Sequence, residues 1–123
     1  MEQAINYTEL DEAAERGAEY LDRIRPRWYN QISVDELIMR NGDGCILGQL
    51  YGDYSVGLKY LNDNYPEDVE VNRALVGHYF EVDHGFYISS ASDNIHESYS
   101  YLEKAWTIQI QDRKIREAEG MMF

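Results

Sequence analysis

His78, Glu81, Asp83 and His84 form the densest group of metal-ligating side chains in this sequence. Zinc needs three or four such donors converging at about 2.0–2.3 Å. A His-x5-His spacing with acids between is not a recognised zinc pattern, so folding would have to bring in His96 or Cys45 to complete a set. The structural alternative is simpler: His84 bonds a loop carbonyl and Asp83 closes a turn. On that reading no metal and no cofactor is expected. Cys45, the single cysteine, directly follows the turn sequence Asn41-Gly42-Asp43-Gly44. In the first turn of a helix its thiol would feel the positive end of the dipole and become nucleophilic. No cysteine-enzyme signature surrounds it, and a small buried hydrophobe is the commoner role. Glycines 42, 44, 48, 52 and 57 invite comparison with a phosphate loop, but no Gly-Lys-Ser/Thr follows and the local charge is negative. The pairs Asp35-Glu36 and Glu67-Asp68 suit helix starts and need no acid–base role. The chain is therefore expected not to be an enzyme.

The elements that would position these residues are mostly helical. The central stretch runs from Cys45 to Leu61. Ile46, Leu47, Leu50 and Tyr51 share one helical face, and Tyr54, Leu58 and Leu61 continue the pattern. The expectation is a buried helix, a break at Gly52-Asp53, and a second short helix capped by Asp53. Before it, Thr8 and Asp11 predict a helix start. Leu10, Ala13, Ala14, Gly17, Leu21 and Ile24 form a core-facing stripe that Pro26 terminates. Trp28 is expected as a core plug with its indole N–H bonded at the edge. Ser33 and Glu36 read as a capping box opening a short helix through Leu37, Ile38 and Met39.

After the central pair, Pro66 with Glu67, Asp68 and Glu70 predicts a further helix to about Gly77, with a strand as the alternative because of the β-branched residues. Residues 79–88 read as a loop or a small β-hairpin. Asn94 and Glu97 suggest a last capping box. The long final helix carries Ile95, Tyr99, Leu102, Trp106 and Ile110 at helical spacing, with Lys104, Arg113, Lys114 and Arg116 gathering toward its C-terminal end, where the dipole favours cations. The fold expected is mainly α: one domain over residues 1–123, a compact bundle of about five helices with at most a minor hairpin around 79–88.

Composition narrows the function class. The 123 residues hold 23 acids and 11 bases, a net charge of −12. Residues 41–103 carry 11 of those acids against only Lys59 and Arg73. Such a surface repels phosphate, so neither direct nucleic-acid binding nor an anionic membrane is expected as a partner. A single cysteine allows no internal disulfide and points to a reducing compartment. Neither a signal peptide nor an apolar run near the ~18 residues of a membrane span is visible, so a cytoplasmic location is expected. Eleven tyrosines exceed what this core can bury, and exposed tyrosine beside acid makes good interface material.

The segment Cys45-Ile46-Leu47-Gly48-Gln49-Leu50-Tyr51-Gly52-Asp53-Tyr54 resembles one found in small uncharacterised proteins of actinobacteria and their phages. Three other features are similar: the Gly17…Tyr20-Leu21 helix followed by Trp28 and Ile32, the Asp83-His84-Gly85-Phe86 segment, and the closing Tyr101-Leu102…Trp106…Ile110 helix. The resemblance implies no particular activity. It implies a phage or mobile-element setting, where small acidic proteins act by binding a host protein, including in counter-defence.

Together these readings predict a non-catalytic binding protein. An acidic, tyrosine-bearing face built from Asp53, Asp63, Tyr65, Glu67, Asp68 and Glu70 would engage a basic, nucleic-acid-handling surface of a host protein as a DNA mimic or inhibitor. Two other readings remain open. One is an accessory module that self-associates through its Trp and Tyr surface as a homo-oligomer. The other is a small metal- or thiol-dependent enzyme centred on Cys45, His78, Asp83 and His84.

Overall fold

The structure, a computed structural model, describes residues 7–63, 82, 84–88 and 95–120. Four helices organise them: α1 (Tyr7–Ile24), α2 (Ile46–Tyr51), α3 (Tyr54–Asp63) and α4 (Ile95–Ala118). Short 3-10 turns occupy Trp28–Gln31 and Val34–Glu36. No strand occurs among the described residues, so the mainly helical class holds. The expected helix after Pro66, the Asn94 cap and residues 79–81 and 83 of the expected hairpin segment lie outside the described residues; the described part of that segment, 82 and 84–88, carries no strand.

α1 buries Ala13, Ala14, Gly17, Ala18, Tyr20 and Leu21, the stripe its apolar spacing dictates. Its partner is α4. Tyr7 reaches Glu97, Tyr101 reaches Asp11, and Arg113 reaches Asp22. Each pair is separated by 90 or 91 positions. A constant offset along both helices means that they run parallel and in register. Small residues on α1 let the two approach closely. A Cβ on Gly17 would fall on the carbonyl oxygen of His84 and lie 2.8 Å from two ring atoms of Trp106.

The 84–86 turn wedges into this seam. Gly85 takes φ 72°, a left-handed conformation natural to glycine, and a Cβ there would meet the α1 backbone at Ala13 and Ala14 at 2.9–3.0 Å. Its carbonyl accepts the Trp106 indole N–H at 2.7 Å, and the Phe86 ring stacks on Trp106 with centroids 5.4 Å apart. Trp28 meets Trp106 edge-to-face at 5.7 Å, a preferred aromatic geometry. Its N–H goes to Asp22 Oδ1 at 2.9 Å, so Trp28 is the edge-bonded core plug its sequence position suggests.

The central stretch divides as its glycines predict. α2 ends at Gly52, φ 91°, whose N–H bonds the Gly48 carbonyl. Asp53 Oδ2 then accepts the Ser55 N–H at 2.9 Å and starts α3. Gly57 lets α3 lie on α2, since a Cβ would come within 2.9 Å of Leu47 and Tyr51. All four helices contribute to one core cluster that includes Leu21, Ile46, Leu47, Leu61, Leu102 and Trp106.

Two local expectations are corrected. Thr8 lies inside α1, which already includes Tyr7, and is not its cap. Ser33 makes no side-chain cap, and beyond Glu36 the chain is extended at Leu37 and then turns at Met39-Arg40 rather than continuing as a helix. A tertiary contact overrides the capping box. Gln49 on α2 accepts the Ser33 N–H at 2.7 Å and donates to the Ser33 carbonyl at 3.2 Å and the Gly44 carbonyl at 3.1 Å. Glu103 on α4 takes the Met39 N–H at 2.9 Å. These contacts satisfy backbone groups that a helix through Met39 would otherwise use.

Candidate functional site

Cys45 is the N-cap of α2. Its Sγ accepts the Gly48 N–H at 3.3 Å and faces the Gly42 carbonyl at 4.0 Å. The residue is 1% exposed. Burial pushes its pKa up, and nearby Asp53 adds to that, while the Gly48 and Leu47 amides pull the other way. A thiol so placed is shielded and kept protonated, the opposite of an activated nucleophile. Gly48 makes the arrangement possible, because a Cβ there would collide with the backbone of Gly42 and Asp43.

The histidines separate. His84 is buried against Tyr20, edge-to-face with centroids 5.9 Å apart. His96 lies exposed on α4, its Nδ1 against the Arg40 guanidinium. Among the described residues no three His, Cys, Asp or Glu side chains converge on a common point. His78, Glu81 and Asp83 lie outside them.

Of the six residues expected to bind a partner, the structure describes two. Asp53 is engaged at the start of α3, and Asp63 is paired with Lys59 at 2.9 Å. Tyr65, Glu67, Asp68 and Glu70 lie outside the described residues.

A different acidic face stands at the N-terminal end of the parallel pair. Tyr7 donates to Glu97 Oε2 at 3.1 Å and Tyr101 donates to Asp11 Oδ2 at 3.0 Å. The two rings pack on each other at 4.5 Å, tilted by 49°. Both hydroxyl pKa values are raised, first by the carboxylate each one bonds. Beside this cluster Glu12, Glu15 and Glu19 occupy the outer side of α1 and form no ion pair among the described residues.

Parallel packing explains part of the pattern. It places two positive helix N-termini side by side, and Glu9 and Glu97 in their first turns offset them. Arg40 sits against His96 at this end and Arg16 is exposed on α1 between Glu12 and Glu19, but three arginines held in ion pairs collect at the other end. There Arg113 pairs with Asp22, Arg116 with Asp112, and Arg27 with Glu117. Glu15 and Glu19 lie beyond the first turn of α1, where the dipole has faded, so dipole compensation does not account for them.

Sequence reasoning missed this face because the acids of α1 read as an ordinary solvated side. The signal that it is a surface lies ninety residues away, in Tyr101 and Glu97. A shallow recess of about 100 Å³ also opens between the 39–42 turn and the rings of Tyr54, Phe86, Tyr87 and Tyr99. It has room for one side chain rather than for a cofactor. No described helix is long and apolar enough to cross a membrane. No family model, no curated protein and no solved structure matches the chain.

Proposed function

We propose that this protein acts without catalysis, by docking an acidic, tyrosine-bearing face onto a basic surface of another protein. The observation that carries the reading is the Tyr7–Tyr101 pair bonded to Glu97 and Asp11, flanked by Glu12, Glu15 and Glu19. Carboxylates in such a row take the place of nucleic-acid phosphates, steering association through long-range attraction. The tyrosines add rigid contact area at low entropic cost. A host nucleic-acid-handling protein is the partner this chemistry fits. The resemblance to phage and actinobacterial proteins supports an inhibitory or counter-defence role in the host cytoplasm. Asp63, Tyr65, Glu67, Asp68 and Glu70 would extend the same acidic character.

Affinity capture from the host cell across a salt series tests the reading. Partner retention should fall steeply between about 50 and 200 mM salt, as exposed charge pairs are screened. Retention independent of salt, or unaffected by combined Glu12→Lys, Glu15→Lys and Glu19→Lys, would refute it.

A further inference from the structure

α4 is apolar on two opposite sides. Its inner side carries Tyr99, Leu102, Trp106 and Ile110. Its outer side carries Ile108 and Ile115, 61% and 58% exposed. At about 100° per residue the two isoleucines fall in line, directly away from the core. Single exposed aliphatics are unremarkable, but two at i and i+7 form the seam that helix pairs use. The charges around them are arranged with symmetry. Lys104 lies four residues before Ile108, and Glu119 lies four residues after Ile115. Both are exposed, and neither has an ion-pair partner among the described residues.

We infer that this face is where a second copy of the chain docks, with α4 antiparallel to α4 about a two-fold axis between Gln111 and Asp112. In that register Ile108 meets the Ile115 of the second copy, and Lys104 meets its Glu119, each contact occurring twice as an isologous interface requires. A parallel pairing would instead set Lys104 beside Lys104, which costs energy. A basic partner finds no match on this stripe, because its two charges are of opposite sign and its middle is apolar. The seam spans about 22 Å of helix at 1.5 Å per residue. With only two isoleucines and two charges from each copy, the contact belongs with small, transient interfaces rather than standard stable ones, so the pairing is reversible and depends on concentration. It uses a helix face separate from the acidic end and does not rest on the function proposed above.

Sedimentation equilibrium on the full chain, from about 10 µM to about 1 mM, reads it out in the affinity range of weak complexes. The wild type should shift from one chain toward two. Ile108→Glu with Ile115→Glu should stay monomeric at every concentration with an unchanged far-UV spectrum, because both positions are solvent-exposed. Lys104→Glu should weaken the dimer about tenfold, and adding Glu119→Lys should restore it to within about threefold of wild type. These folds follow from ~1.4 kcal/mol per factor of ten for a close charge pair. A wild type that remains monomeric at the top concentration overturns the inference, as it would if another protein covers this face. Undiminished association of the double isoleucine variant also overturns it, as does a charge swap that fails to rescue.

Discussion

Arg113 and Asp22 face each other across the α1–α4 seam, with Nη2 2.9 Å from Oδ2 and Nε 3.0 Å from Oδ1. Arg113 is 6% exposed, and its guanidinium also bonds Gln109 and lies 5.9 Å over the Trp28 ring. Asp22 in turn holds the Trp28 indole. One carboxylate thus ties together the end of α1, the 3-10 turn and α4.

Removing one partner of this pair should be far worse than removing both. Arg113→Ala leaves a carboxylate in the seam without its fork of donors, and a loss of about 3–5 kcal/mol is expected. Arg113→Met combined with Asp22→Leu replaces the pair with apolar volume and should recover most of that loss, less about 1 kcal/mol for the stranded Trp28 N–H. Urea unfolding of the two variants beside the wild type checks it. A single mutant as mild as the double would show that the pair is solvated.

Gly17→Ala sets helix propensity against packing. Alanine gains about 1 kcal/mol in a helix interior. The added carbon, however, lands on the His84 carbonyl and the Trp106 ring, and overpacking costs typically 1–3 kcal/mol, more when the obstacle is backbone. The melting temperature should therefore fall. A rise would mean that the 84–86 turn does not sit against α1.

Gln49 is expected to matter more than its partial exposure suggests. Gln49→Ala removes three hydrogen bonds to the Ser33 and Gly44 backbone at about 0.5–1.5 kcal/mol each. Gln49→Glu should be nearly as damaging, since it loses both donating bonds. Amide exchange at Ser33 should accelerate in Gln49→Ala but much less in Gln49→Glu, which keeps an oxygen to accept the Ser33 N–H, while exchange in α1 changes only with global stability.

The expected pH dependence has an alkaline limb. Burial pushes up the Cys45 thiol and the hydroxyls of Tyr29, Tyr51 and Tyr99. A raised folded pKa means that the native state holds its proton more tightly than the unfolded chain. The stability this contributes is complete below the unfolded values, about 8.5 for cysteine and 10 for tyrosine. It is lost as pH climbs through the folded values. The urea midpoint should hold to about pH 8.5 and then decline, with Cys45→Ser removing the earliest part of the fall. Cys45 should likewise react with an aromatic disulfide reagent at a rate set by opening of the fold rather than by the thiol. Fast labelling of the native protein would contradict its placement.

What could be read ahead of the structure was whatever one helix decides alone. The break at Gly52-Asp53 follows from glycine and a capping acid side by side, and the inner stripes of α1 and α4 follow from apolar spacing. What escaped depends on partners distant in the chain. Arg113 has the same composition signal as Lys114 and Arg116, yet it alone is buried, because Asp22 lies opposite. Ser33 and Glu36 have the right letters for a cap, but Gln49 claims the Ser33 backbone first. Ile108 and Ile115 stayed hidden because the five inward residues of α4 already fill the expected pattern.

The parallel register of α1 and α4 sets a timetable for the newborn chain. A helical hairpin could close as soon as its second arm emerged, but here the matching arm lies about ninety residues downstream. At roughly 5–20 residues per second, α1 spends on the order of 5–20 s outside the ribosome with its apolar stripe uncovered. During that interval its own row of glutamates, repelling the same row on neighbouring nascent chains, is the protection it carries against clumping.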